Sequence, residues 1–262
     1  LVFYHPEVLA KLMRLRQWIV ERERTGELDA VDEWIRMVAT NRLTGHSAGF
    51  FSVYTMPPNQ AVSVASQRKI NEKRGQVPVE RDVERLILRK SNSLLSDLSD
   101  ADRANLRAAA ESALLVTGSS EAMGSVPSAS VDLVVTSPPF LNEVDYRTDN
   151  WLRAWFNGID IASMPIWQVG KLDEWQRRMT MVMRELERVL RPGGWIAFEV
   201  GEVRKGTIKL EDAVVPAMRD AGLDPQWILI NQQNFTKTSN CWGVDNASKG
   251  TNTNRIVVGK KV

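Results

Sequence analysis

Thr136-Ser137-Pro138-Pro139-Phe140 is the segment whose residue types and order suit chemistry. It follows Val131 to Val135, an almost uninterrupted apolar run, so two prolines fall where a buried strand ends. Proline removes backbone donors and fixes φ, which stiffens the direction of the neighbouring carbonyls. In an open parallel sheet, ligands sit beyond the carboxyl ends of the strands, so Ser137 to Phe140 are expected to line a crevice. The Ser137 hydroxyl oxygen and the Pro138 carbonyl can each accept one hydrogen of a planar amine. The lone pair of that amine, otherwise delocalised into its ring, then turns toward an electrophilic carbon, and the developing charge is stabilised. No strong base is required. Phe140 offers a face for a base drawn from its stack, which offsets part of the unstacking cost. An isolated Pro-Pro more often just punctuates a strand. Here a hydroxyl precedes it, an aromatic follows it, and a helix and Leu190-Arg191-Pro192-Gly193-Gly194 come at a suitable distance.

The elements that must hold this segment read as α/β. From Leu114 onward the rhythm is strand, loop, helix, strand, as in parallel sheets. Leu114 to Thr117 is expected to be a short buried strand ending at Gly118, and Val131 to Thr136 a second strand covered on both faces. Asp173 is placed to cap a helix whose Trp175, Met179, Val182, Met183, Leu186 and Leu190 share one stripe. Pro192-Gly193-Gly194 ends it. Trp195 to Val200, Trp227 to Ile230 and Arg255 to Val258 are expected strands, and Glu211 to Ala221 a helix. Before residue 113 the pattern is helical and irregular. Helical spacing runs over Glu7 to Arg24 up to Gly26, over Ala30 to Val38 and over Val83 to Leu98. Phe50 to Tyr54 is an aromatic extended segment. The expected organisation is a mainly helical module over 1–112, for target recognition or for covering a cofactor, and a catalytic domain over 113–262.

Thr136 to Phe140 resembles the Ser-Pro-Pro-Tyr/Phe motif of DNA amino-methyltransferases, and Leu190 to Val200 resembles the Arg-Pro-Gly-Gly turn and strand of the wider methyltransferase fold. The resemblance covers roughly the second half of the chain. It implies a doubly wound, Rossmann-like α/β sheet, mostly parallel with its last strand antiparallel, S-adenosylmethionine as cofactor and DNA as partner. It gives Ser137 and Pro138, stiffened by Pro139, the task of holding the amine, and Phe140 that of stacking the base. The serine form of the motif tilts the target toward cytosine N4. Adenine N6, an RNA amine of the same type, or a catalytically silent nucleic-acid-binding subunit are the alternatives. The cofactor is expected near Thr136 and near Gly118-Ser119-Ser120, where related enzymes often carry an acidic residue. The family's Phe-x-Gly-x-Gly loop is absent from the sequence. The chain also opens on Leu1 rather than methionine, so that loop is expected upstream of Leu1 or on a partner subunit.

Other residues are weaker candidates. Asp145 and Tyr146 could shape a flipped-base pocket, though a helix cap and core packing need the same types. Glu199, Glu202 and Arg204 fall at a strand end, where an acid could assist proton loss or hold the cofactor and a Glu202–Arg204 salt bridge is the commoner outcome. Lys237, Asn240 and Lys249, within the polar run Asn234 to Asn254, combine phosphate-binding cations with an amide suited to base edges, or form a solvated hairpin. Arg68, Lys69, Lys73 and Arg74 form a basic cluster, first a solvated helix face and second a backbone contact. Pro57-Pro58-Asn59-Gln60 lacks a preceding apolar strand and reads as a loop. One cysteine, Cys241, and two histidines, His5 and His46, exclude a disulfide framework and supply a metal centre poorly, so no metal is expected. No apolar run reaches the roughly 18 residues of a membrane helix, which points to a soluble, cytoplasmic protein. A net charge of +2 permits a polyanionic partner without demanding one.

Overall fold

The computed structural model describes residues 2–55, 61–141, 145–204, 207–232 and 253–262. The chain divides into two units, Leu1–Ala113 with Asp145–Ile166, and Leu114–Val144 with Trp167–Val262.

The first unit is helical: α1 Pro6–Thr25, α2 Ala30–Arg42, α3 Val64–Arg74, α4 Val83–Leu95, α5 Asp100–Ser112 and α6 Tyr146–Phe156. Their ends follow local chemistry. Pro6 opens α1 where no donor is needed, His5 Nδ1 accepts from the Glu7 amide, and Gly26 closes the helix at φ 72°. Asp29 with Asp32, and Ser99 with Asp102, form reciprocal capping boxes on α2 and α5. Val8, Leu12, Ile19, Phe51, Leu152 and Phe156 share one buried cluster, which is why α6 groups here rather than with the second half of the sequence. Phe50 to Tyr54, expected to be extended, makes a single bridge among the described residues, from Tyr54 to Gly45. Phe50, Phe51 and Val53 bury their side chains instead, with no strand beside them among the described residues.

The second unit contains β1 Val131–Thr136, α7 Leu172–Val189, β2 Leu190–Val203, β3 Ile208–Lys209, α8 Glu211–Asp220, β4 Leu223–Gln232 and β5 Thr253–Lys261. The strand order is β1-β2-β5-β4, with β3 paired to β2. β1 runs parallel to β2, while β5 is antiparallel to both β2 and β4. Three long strands therefore point one way and the last strand in sequence points back between two of them, as a Rossmann-like sheet with an antiparallel last strand requires. Ile196, Phe198 and Val200 of β2 and Val257 of β5 are buried together with Trp175, Met179, Met183, Val214 and Met218 of α7 and α8.

The opposite face differs from the expectation for β1. Leu133 and Val135 are 58% and 74% exposed, and Trp227 and Leu229 of β4 are 56% and 53% exposed. The register Val135–Ala197–Val258–Trp227 sets these side chains on one face, where Trp195 and Trp227 stack at 5.4 Å. An apolar run thus signalled two apolar faces, of which the described residues cover one. Leu114 to Thr117 is not a strand, and Leu115 is 96% exposed. It has no partner ladder among the described residues, and strand propensity without a ladder leaves the backbone to water.

Candidate active site

β1 ends at Thr136 beside Phe198 of β2, which continues to Val203. At the opposite, amino end of this pair, Gly194 lets β2 pass close to Asp132 of β1. A Cβ there would meet the Arg191 carbonyl at 2.9 Å and the Asp132 carbonyl at 3.2 Å, and Gly193 turns at φ 79°. Beyond Thr136 the chain enters Ser137-Pro138-Pro139-Phe140. Ser137 and Pro139 are exposed, Pro138 and Phe140 half-buried, and Leu141 is buried.

Three carbonyl or hydroxyl groups of this ledge have distinct states. The Pro139 carbonyl accepts the indole N–H of Trp175 at 2.9 Å. The Ser137 hydroxyl and the Pro138 carbonyl make no hydrogen bond among the described residues, which leaves both as open acceptors. Trp175 is 2% exposed, so its N–H needs a partner inside the protein and the ledge supplies it. Phe140 packs against the core of the unit, beside Trp167, Trp175 and Met179 around a recess of ≈ 10 Å³, about one water in size. That recess is too small to admit a base.

The neighbouring charges are committed. Arg178 lies over the Trp167 ring at 5.0 Å and faces Glu121 at 3.6 Å. Glu202, at the end of β2, takes Arg255 as a partner, and Glu211 holds the same guanidinium at 2.5 Å. Burial opposes the Arg255 charge, but the hydrogen bond to Glu202 and the fields of Glu211 and Glu202 raise its pKa above the ordinary arginine value. Arg204 donates to the Gly170 carbonyl at 2.9 Å, so the expected partner of Glu202 is found on β5 instead. Glu199 sits one residue past the Thr136–Phe198 pair, half-buried on the face that carries Val135 and Ala197.

Gly118, Ser119 and Ser120 are exposed in a turn where the Ser119 hydroxyl accepts the Glu121 amide. Ser120 has no hydrogen-bond partner among the described residues, so its hydroxyl can meet a polar ring edge. Thr136 is half-buried at the strand end. Asp145 caps α6 through the Thr148 amide and hydroxyl, and these hydrogen bonds hold its carboxyl below the usual range. Tyr146 begins that helix. Both belong to the first unit, whereas Ser137 belongs to the second. Lys237, Asn240 and Lys249, and Pro57 to Gln60, lie outside the described residues. Among the described residues no group of three or more metal-binding side chains is found, and no helix is long and apolar enough to cross a membrane.

Sequence reasoning placed Trp175 on the core stripe and missed its bond to the ledge. The available signal was the residue type: an indole inside a core must find an acceptor, and a proline-rich strand end supplies one that no sheet partner claims.

No family model and no curated protein matches this chain. Solved structures do. A candidate DNA modification methylase from Thermus thermophilus is 25% identical over 54% of this chain and 49% of its own, at a TM-score of 0.34. The same protein with S-adenosyl-L-methionine bound is 23% identical over 55% and 51%, at 0.35. An S-adenosylmethionine-dependent methyltransferase from Methanosarcina mazei is 10% identical over 55% and 65%, at 0.32. The chain spans about half the length of the Thermus protein. All three TM-scores fall under 0.5.

Proposed function

We propose that the second unit carries the catalytic wall of an S-adenosylmethionine-dependent DNA amino-methyltransferase acting on cytosine N4. One observation carries the reading: at the carboxyl end of β1, two neighbouring acceptors, Ser137 Oγ and the Pro138 carbonyl, stand open while the next carbonyl is fixed by Trp175. A single amino group presents two hydrogens, so two open acceptors and a fixed backbone match it. The cofactor would supply an electrophilic methyl group. Ser137 and Pro138 take the amine hydrogens and turn the nitrogen lone pair outward, and Phe140 supports the ring. Thr136 and the turn Gly118-Ser119-Ser120, through hydroxyl and backbone groups, are the residues that would hold the cofactor. Lys237, Asn240 and Lys249 would meet DNA, as would Asp145 and Tyr146 of the first unit.

Mass spectrometry of nucleosides from DNA incubated with the full chain and cofactor tests this. N4-methylcytosine is expected, and N6-methyladenine alone would replace the base assignment. An absence of calorimetric S-adenosylmethionine binding by the natural full-length protein, together with no methylated nucleoside from it, would end the enzyme reading. Ser137→Ala should lower turnover at least ~10-fold, the scale of one lost transition-state hydrogen bond, and leave DNA affinity unchanged. Unchanged turnover removes Ser137 from the mechanism.

A further inference from the structure

The first unit contains a cavity that methyl transfer does not use. It has a volume of ≈ 310 Å³, and Phe3, Tyr4, Trp151 and Trp155 contribute aromatic surface to it. Val64 and Arg68, one helical turn apart on α3, are its exposed members.

The walls are held open by hydrogen bonds rather than by chance packing. Asn71 donates to the Val2 carbonyl at 2.8 Å, the Val53 amide to the Phe3 carbonyl at 2.8 Å, and the Tyr4 hydroxyl to the Leu43 carbonyl at 2.9 Å. The Trp151 indole donates to the Ala61 carbonyl at 3.1 Å, and the Phe3 and Trp151 rings stand 6.0 Å apart, tilted by 59°. A cleft with such fixed aromatic walls is pre-organised for a flat apolar body, since little ordering remains to be done on binding.

Charge narrows the class of ligand. Arg68, Lys69 and Lys73 of α3 make no ion pair among the described residues, and the first turn of that helix carries no acid. Arg74, on the next turn, lies over the Tyr54 ring at 3.8 Å. Open cations beside an aromatic slot are the two parts of a single-strand nucleic-acid site, where bases stack on rings and phosphates meet Arg and Lys. The volume is at the small end for ligand sites, which suits one base and excludes a duplex.

We propose that this cavity takes one unstacked base of a single-stranded nucleic acid, with its phosphate on Arg68 and Lys69. The site needs neither cofactor nor reaction, so it stands or falls separately from the methyl-transfer reading. Fluorescence anisotropy of the full chain with labelled octathymidylate, and with an abasic strand carrying the same phosphates, tests it. Octathymidylate should bind at least ~5-fold tighter than the abasic strand, the lower end for one stacked base. Val64→Trp, which fills the slot from an exposed position, should bring that ratio to about one. Arg68→Glu should weaken both strands alike and flatten the salt dependence. Far-UV circular dichroism confirms that both variants fold. The proposal is overturned if octathymidylate does not bind, if both strands bind the unaltered chain equally, or if the ratio survives Val64→Trp. It is also overturned if calorimetry shows decanoate binding that Val64→Trp abolishes while octathymidylate fails to compete, because the slot would then hold an acyl chain.

Discussion

Trp175→Phe separates the ledge from the core that supports it. The substitution keeps a six-membered ring on the buried stripe of α7 and deletes the N–H that reaches the Pro139 carbonyl at 2.9 Å. A neutral hydrogen bond contributes about 1 kcal/mol net, and the smaller ring leaves a void whose cost is of similar size, so the total loss is about 2 kcal/mol. For a chain of this size that is a drop of roughly 4–8 °C in Tm. The effect on turnover should be larger in proportion. Without the bolt, Pro138 and Ser137 gain freedom on the scale of an ångström, and a displacement of that size costs on the order of 100-fold in an oriented reaction.

The comparison variant is Met183→Ala. Met183 is fully buried on the same helix, two turns further along, and does not line the recess under Phe140. Its truncation costs about 2–5 kcal/mol of stability without touching the ledge. Single-turnover methyl incorporation at saturating cofactor, paired with thermal melts of the full chain, gives both quantities. Trp175→Phe should lose far more turnover per degree of Tm than Met183→Ala. Equal losses per degree would refute the reasoning, because the ledge would then respond only to overall stability.

Arg255→Met should cost about 3–5 kcal/mol in urea unfolding, since it leaves Glu202 and Glu211 facing each other with little water to screen them. Adding Glu211→Leu should recover a substantial part, and no recovery would show that the loss came from packing alone. The Asp149 carboxyl is pushed above its ordinary range by burial and by the nearby Asp145 charge. Its ionised form is therefore the unfavourable one, so the penalty is complete above the folded-state pKa and disappears as pH falls below the ordinary aspartate value. Asp149→Asn should raise Tm at neutral pH with the gain shrinking in acid, and a gain that grew on acidification would contradict the sign. Gly194→Ala should cost about 1–3 kcal/mol by forcing β1 away from β2, read as a lower denaturation midpoint.

How much of this was legible follows from what each pattern reports. The stripe Trp175, Met179, Val182, Met183 and Leu186 was readable because helical spacing and burial coincide, and all five are buried, but the helix stops at Val189, so Leu190 and Pro192-Gly193-Gly194, expected as its last stripe member and its terminator, belong to β2. Its start was less so: α7 begins at Leu172 behind Lys171, which makes no side-chain cap bond, and Asp173 falls in the first turn rather than at the cap. There its charge still faces the positive end of the helix, so composition alone could not separate the two positions. One strand reading failed for a different reason, while Val131 to Thr136, Trp195 to Val200, Trp227 to Ile230 and Arg255 to Val258 all lie in strands. Leu114 to Thr117 has the residue types of a strand, but a strand exists only with a partner, and partners are set by distant sequence. The salt bridge expected within Glu202 to Arg204 failed likewise, because β5 brings Arg255 alongside Glu202 from 53 residues away.

The same physics links the Ser137 to Phe140 ledge to the core in a way the sequence pattern conceals. Pro-Pro stiffens a chain but does not aim it. A stiff segment can still pivot about the strand end that carries it, here Thr136. Two fixings remove that pivot: Leu141 is buried just beyond the segment, and Trp175 holds the Pro139 carbonyl between them. Trp175 is also the first buried residue of the helix whose remaining stripe covers β2. Repacking that stripe therefore shifts the direction in which Ser137 and Pro138 present their acceptors. Substitutions near the first turns of α7, at Trp175 and Met179, should change the orientation of the amine, while equally buried substitutions at Leu186 or Val189 should change only stability. That gradient along a single helix distinguishes a positioned ledge from a loop that merely ends a strand.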